Sequence, residues 1–271
     1  MSDLSVVIVS YNTRELLRAC LRSLRESVGL QLEVIVVDNA SIDGSAEMVR
    51  QAFPEVVLLE QTSNTWYCGG NNIGIKRATA DYVLLLNPDT EVAPDALALM
   101  HRFLLENPNY AGVTGQLRYP DGEIQRTGSE IPTYLSLLLD YTVLGHLLPT
   151  ARRRVHDELY YSDWDRQSDR EVKVIPGSCT LMRREDLWLD DDLLLYFPED
   201  TLACQHQKSS FFLSAAKIKH HEKSSARNLF ATIIFFRDLM IYCRKQHRTP
   251  KMLLLWLLSR PIVALMWLKN R

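Results

Sequence analysis

The sequence predicts an α/β protein with a mostly parallel sheet, helices on both of its faces and a helical extension at the C-terminus. Three observations carry this. Aliphatic, β-branched runs at residues 4–10, 32–38, 56–60 and 81–86 suit strands buried on both faces. Amphipathic stretches at 13–26, 43–51, 70–78 and 93–106 separate them, and such alternation implies parallel strands joined by helical crossovers. Each of three strands also ends abruptly on polar residues, where open α/β sheets form their ligand crevice.

Strand one runs into Tyr11 and Asn12, which either wall a ligand pocket or, for Asn12, cap the next helix. Strand two ends on Asp38 and is followed by Asn39-Ala-Ser-Ile-Asp-Gly-Ser45, small and capping residues that start a helix. Gly69-Gly70-Asn71-Asn72 permits a close backbone approach to a ligand, although a plain helix start accounts for it equally. The run Asp81-Tyr-Val-Leu-Leu-Leu-Asn-Pro-Asp-Thr90 stops on Asn87, Asp89 and Thr90, which suits a metal and a charged ligand or, more simply, an Asn-Pro turn.

Residues 110–117 add a strand. Residues 118–170 are the least legible: Pro120-Asp-Gly122 signals a turn, 135–148 is largely apolar, and Arg152-Arg-Arg-Val155 with its acidic sequel reads as a mobile loop. Residues 172–183 read as one strand and 190–200 as a carboxylate cluster. Residues 211–218 are apolar and lead into His220-His221.

A length of 271 residues suits one α/β domain with appendages. Five scattered cysteines, odd in number and without paired spacing, point to a reducing cytoplasm rather than to disulfides or a zinc site. No basic segment precedes an apolar one at the start, so no signal peptide is expected. The net charge of −2 hides an asymmetry: from Lys217 onward there are 12 Lys and Arg against 2 Asp and Glu. No nucleic-acid-binding motif accompanies that charge. The last residues, 251–271, are apolar but interrupted by Arg260-Pro261, and the unbroken runs fall short of the ~20 residues a membrane span needs. Trp256 and Trp267 with flanking basic residues fit a helix pair lying on an anionic membrane surface. The alternative is packing on the rest of the chain or on a second subunit, which would make a homodimer.

Ser5-Val-Val-Ile-Val-Ser-Tyr-Asn12, the run from Val34 to Ser45, Asn71-Asn72-Ile-Gly-Ile75 and the run from Asp81 to Val92 resemble, in order and spacing, the motifs of family 2 glycosyltransferases of the Rossmann-like GT-A fold. Within that family the likeness is to bacterial rhamnosyltransferase-type enzymes of surface-polysaccharide assembly. It is dense from residue 4 to about 117 and resumes near Ile175, where Pro176-Gly-Ser-Cys-Thr-Leu-Met-Arg-Arg-Glu185 is similar to a further motif. The resemblance implies a glycosyltransferase domain over residues 1–227, with a nucleotide-binding half (1–117) and an acceptor half (118–227). Residues 228–271 form a separate basic, apolar tail.

What the resemblance implies for single residues follows. Asp89 matches the last acid of the family's DxD motif and is expected to bind a divalent cation, Mg2+ or Mn2+; Asn87 stands at the first acid and contacts the nucleotide. Asp38 would accept the imide N–H of thymine or uracil, which favours a dTDP- or UDP-linked donor. Tyr11, Asn12, Asn71 and Asn72 complete the nucleotide site. Glu199-Asp200 matches the acidic pair at a helix start, with Asp200 the general base and Asp191 or Asp192 in reserve. His220, four residues before Ser224, resembles a metal-proximal histidine. The expected reaction is a cation-dependent, inverting transfer of a sugar, with rhamnose suggested, to a lipid-linked or polysaccharide acceptor at the cytoplasmic membrane face. A nucleotidyltransferase would need a basic, glycine-rich loop after strand one, and residues 10–16 offer none. A catalytically degraded nucleotide-sugar-binding or scaffold protein is the remaining competitor: Leu202 replaces an acid and the Cys204–His220 interval is short.

Overall fold

The computed structural model describes residues 2–206, 208–222 and 229–269. β1 (Leu4–Ser10), β2 (Leu32–Asp38), β3 (Val57–Glu60) and β4 (Tyr82–Leu86) fall on the predicted runs and pair in parallel, with β1 between β2 and β4. The helices α1 (Arg14–Arg25), α2 (Ser45–Ala52) and α3 (Trp66–Arg77) connect them. Alternate side chains of β1 and β4 enter two cores on opposite faces of the sheet. Val6, Ile8, Leu84 and Leu86 join one, and Val7, Val83 and Leu85 the other, so these strands carry few polar residues until their ends.

The start of α3 differs from expectation. The helix begins at Trp66 rather than residue 70, so Gly69 and Gly70 lie within its first turns instead of in a ligand-facing loop. A Cβ on Gly70 would stand 2.7 Å from Val9 Cγ1, and one on Gly74 2.2 Å from Val7 Cγ1. These glycines let α3 approach β1 closely.

Beyond Pro88 a short strand, β5 (Thr90–Val92), precedes α4 (Ala96–Glu106) and β6 (Gly112–Arg118). The segment read as irregular holds α5 (Tyr134–Tyr141), α6 (Leu144–Leu147) and α7 (Pro149–Leu159). α7 replaces the expected loop. Pro149 sits in its first turn, where no N–H is needed, and Arg153–Asp157 and Arg154–Glu158 pair one turn apart. The strand expected over 172–183 divides into β7 (Arg170–Val172) and β8 (Cys179–Arg183), because Pro176 has no N–H to give a ladder.

Next come α8 (Pro198–Gln205), β9 (Ser210–His220), α9 (Leu229–His247) and α10 (Thr249–Lys269). The resulting nine-stranded sheet has the order β3-β2-β1-β4-β8-β6-β9-β5, with β7 also on β9. β8 is antiparallel to both β4 and β6, while β6 and β9 are parallel. Gly115 pairs with Leu213 but Gln116 with Lys217, so Ser214, Ala215 and Ala216 bulge from β9. Asp169 Oδ1 holds the bulge by accepting from Ser214 N and Oγ, each at 2.7 Å.

α9 is woven into the second core through Phe236, Leu239, Tyr242 and Cys243, with Leu255 of α10 beside them. α10 does not break at Pro261 as expected. Pro261 removes the N–H that would bond Leu257 O, and the helix continues past it; one residue earlier, Trp256 O accepts from both Ser259 Oγ and Arg260 Nε. No described helix is long and apolar enough to cross a membrane. Leu253, Leu254, Trp256 and Leu257 are exposed; the side chains of Met266 and Trp267 lie outside the described residues.

Candidate active site

The carboxyl ends of β1, β2 and β4 open into a cavity of about 1000 Å3. It is lined by Tyr11, Asn12, Asn39 and Asp43, by Asn87, Pro88 and Asp89, and by Trp66, Tyr67, Leu195 and the start of α9. Asn12 adopts a left-handed backbone (φ 55°). Its Oδ1 accepts from Ile42 N at 2.9 Å and its N–H donates to Ser41 Oγ at 3.0 Å. Asn12 therefore ties the turn after β1 to the turn after β2. It does not cap α1, whose N-cap is Thr13.

Asp38 ends β2 and is 3% exposed. Its Oδ2 accepts from Ser41 N at 3.0 Å, whereas its buried Oδ1 has no hydrogen-bond partner. A buried carboxylate oxygen left open is costly, and a ligand N–H would repay it. Asn39, which the sequence reading passed over, fixes the cavity's rim. Its side chain donates to Trp66 O at 3.1 Å and accepts from Thr65 Oγ1 at 2.7 Å.

Asn71 and Asn72 are turned to internal tasks. Asn71 Nδ2 donates to Tyr67 O at 2.9 Å. Asn72 holds Leu189 at both ends, Oδ1 accepting from its N and Nδ2 donating to its O, and Nδ2 also reaches Asp191 Oδ1 at 2.8 Å. Both asparagines are buried and neither lines the cavity. Asp191 also accepts from Trp188 Nε1, and Asp192 pairs with Lys245 at 2.7 Å. Neither of these acids lines the cavity.

Asp89 and His220, 131 positions apart, are brought together by β5–β9 pairing, in which Thr90 lies opposite His220. His220 Nε2 stands 3.4 Å from Asp89 Oδ1. On its other side, His220 Nδ1 meets Gln125 Oε1 at 2.8 Å, while Gln125 Nε2 donates to His220 O at 2.9 Å. Gln125 is thereby oriented so that its oxygen must accept, and His220 Nδ1 must carry a proton. His220 Nε2 thus faces a carboxylate oxygen, and when it carries no proton the two could hold a divalent cation between them. Among the described residues no three His, Cys, Asp or Glu converge as a complete metal cage, so diphosphate or water oxygens would have to fill most of the coordination sphere. Ser224 lies outside the described residues.

Glu199 and Asp200 occupy the first turn of α8, after Phe197 in a left-handed conformation (φ 66°) and Pro198. Burial lifts the Asp200 carboxyl to about 6. Burial, with the neighbouring Asp200 charge adding to it, lifts Glu199 to about 7 against the lowering bond from Tyr67. Asp200 does not line the main cavity. It lies toward Tyr141 of α5, Tyr160 just after α7 and Tyr242 of α9, where its charge is felt.

Sequence reasoning missed Asp238 altogether. It is fully buried, and its Oδ2 accepts from three consecutive amides, Leu194, Leu195 and Tyr196, at 3.1, 2.9 and 3.0 Å. The only signal was its oddity, one acid in an apolar and basic helix.

Fold and site together define a glycosyltransferase of the GT-A type. The chain belongs to glycosyl transferase family 2, whose model matches residues 5–189. It is 25% identical over 244 residues to the N-acetylglucosaminyl-diphospho-decaprenol L-rhamnosyltransferase of Mycobacterium tuberculosis, covering 83% of this chain and 78% of that protein. Among solved structures it is similar to the mannosyltransferase PcManGT from Pyrobaculum calidifontis in complex with GDP-Man and Mn2+ (TM-score 0.62, 18% identity, 92% of this chain). It is also similar to GalNAc-T7 with UDP, GalNAc and Mn2+ (TM-score 0.59, 13% identity, 81% of this chain). The chain spans 65% and 44% of those two chains.

Proposed function

We propose that the protein carries out an inverting, divalent-cation-dependent transfer of a sugar from a dTDP- or UDP-linked donor to a lipid-linked or polysaccharide acceptor. Rhamnose is the sugar its mycobacterial relative suggests. The observation that carries the reading is the meeting of Asp89, which lines the cavity, with His220, while the buried Asp38, one residue before the cavity-lining Asn39, keeps an open oxygen.

Asp38 Oδ1 accepts the imide N–H of uracil or thymine; cytosine would present a lone pair there and be repelled. Asn87, on the cavity wall, meets the ribose. Asp89 and His220 would hold Mg2+ or Mn2+, which when bound neutralises charge building on the leaving diphosphate. Asp200 accepts the proton of the acceptor hydroxyl. A carboxylate lifted to about 6 is still mostly ionised at neutral pH and is a stronger base than an ordinary aspartate. Attack opposite the leaving group in one displacement inverts the anomeric carbon.

An acceptor on a lipid calls for a membrane, and the exposed face of α10 supports peripheral attachment to the cytoplasmic leaflet. There Leu253, Leu254, Trp256 and Leu257 lie between Lys251 and Arg260, with Leu147 and Leu148 also exposed. A second copy covering that face would give a homodimer instead.

A thermal-shift panel of dTDP-, UDP-, GDP- and CDP-sugars, with and without Mn2+, tests the proposal. A ligand binding only the folded state raises the melting temperature by mass action. The pyrimidine imides should stabilise most and more with metal; stabilisation by GDP-sugars alone would overturn the base assignment. Release of free sugar from the donor separates a transferase from a protein that only binds it.

A further inference from the structure

α9 begins at the cavity, with Phe230, Ala231 and Ile234 on its rim, and two turns later reaches the segment that leads into α8. There, three successive N–H groups of residues 194–196 converge on one oxygen of Asp238, and its other oxygen accepts from Arg237 Nη1 at 2.6 Å. Backbone amides converging in this way form an anion-binding nest, here occupied by the protein's own carboxylate. On the opposite side Leu194 O accepts from Tyr67 N and Cys68 N at 3.0 and 3.2 Å, the first turn of α3. The aromatic rings continue the grip. Phe235 packs on Tyr196 at 5.0 Å, and Phe197 stacks on Tyr242 at 5.2 Å. Phe197 is the left-handed residue from which α8 starts, and Glu199 and Asp200 follow it by two and three positions.

We propose that Asp238 is a positioning residue for transfer. By fixing residues 194–196 between α3 and α9, it sets both the Leu195 wall of the donor cavity and the entry of α8 that aims Asp200. The inference rests on the general-base reading of Asp200. Loss of the charge at 238 weakens the acceptor shared by three amides and a displaced side chain misplaces it, so the corner relaxes. A displacement of about 1 Å in a reacting group is enough to lower turnover roughly 10- to 100-fold.

The experiment uses the full-length protein and donor hydrolysis with UDP- or dTDP-sugar and Mn2+. Asp238→Asn, which keeps the shape, should lower kcat at least tenfold while changing the donor KM less than threefold. Arg237→Gln, acting on the other oxygen, should keep the parent rate. In an Asp200→Asn background, Asp238→Asn should have almost no further effect, because both act on one step. Unchanged kcat per folded molecule, or a full additional loss in the Asp200→Asn background, would overturn the proposal. Asp238→Glu serves as the second variant should Asp238→Asn fold poorly, and its kcat should also fall. Amide hydrogen exchange of residues 194–196 separates this idea from the transferase reading. Faster exchange in Asp238→Asn is expected even if the parent hydrolyses no donor, and unchanged exchange refutes the positioning role by itself.

Discussion

At the end of β2, Asp38 is buried with one oxygen bonded to Ser41 and the other open; on α9, Asp238 is buried with both oxygens filled by the protein. The two halves of the molecule treat a buried charge in opposite ways. At the end of β2, Asp38 keeps one buried oxygen with capacity to spare, as a ligand-recognising group would. In the C-terminal half, the acid's capacity is consumed in holding other parts in place. Asp38 thus has an oxygen to offer a ligand, whereas Asp238 spends both of its oxygens on its surroundings.

The sharpest test of that contrast removes the proposed base. Asp200→Asn should keep donor binding and lower turnover by roughly 10²–10⁴-fold, measured as initial rates at saturating donor. An unchanged rate would move the role to another acid, and the binding of Asp191 and Asp192 to Asn72, Trp188 and Lys245 makes them poor heirs.

Next in size are the two recognition acids, which should fail differently. Asp38→Ala should weaken nucleotide binding roughly 10- to 100-fold with or without Mn2+, the loss expected for a charge-assisted hydrogen bond. Asp89→Ala should abolish only the Mn2+-dependent part. Titration calorimetry with UDP and dTDP distinguishes them, and a metal enhancement surviving in Asp89→Ala would take that residue out of the site.

Smaller, and opposite in sign, is the effect of Glu199. Its folded pKa of about 7 lies above the ordinary value of 4.5, so the folded state binds its proton more tightly than the unfolded chain. That contribution is fully present below pH 4.5 and is lost as pH rises through about 7. Glu199→Gln should therefore be more stable than the parent at pH 8, by roughly 1–3 kcal/mol, and nearly equal to it at pH 4. Urea melts at the two pH values measure the difference. Equal stability at pH 8 would mean that the carboxylate is better solvated than its burial implies.

The smallest expected effect concerns α10. Binding to vesicles rich in anionic lipid should be measurable at low salt, fall as salt rises, and weaken several-fold in Leu257→Asp, by sedimentation. Concentration-dependent mass with no vesicle affinity would instead assign that face to a second copy.

The N-terminal half was legible because its signals are local. An apolar run that ends on Asp38 or on Asn87 and Asp89 states both the strand and its polar end within a few residues. His220 could be placed beside Asp89 only through family likeness, since the register of β5 on β9 joins residues 131 apart. The roles of Asn71, Asn72 and Asp238 were hidden for the same reason. Their partners are backbone groups at 189 and 194–196, or a carbonyl one turn back, and no periodicity announces a backbone hydrogen bond to a distant loop. The glycines of α3 misled in a different way: a glycine needed for close packing on Val7 and Val9 looks the same in sequence as one needed by a ligand.

The bulge in β9 works as a spacer that sets phase. Downstream of Ser214–Ala216, each residue's place beside β5 is decided by how many residues the bulge absorbs. A bulge absorbing one residue fewer would bring Lys219 to the seat of His220, its ammonium against Asp89, and one absorbing one more would bring His221 there. A single-codon insertion at this spot is silent downstream if the bulge takes it up; if it does not, every later side chain of β9 changes face, Ile218 leaves the core and His220 leaves Asp89.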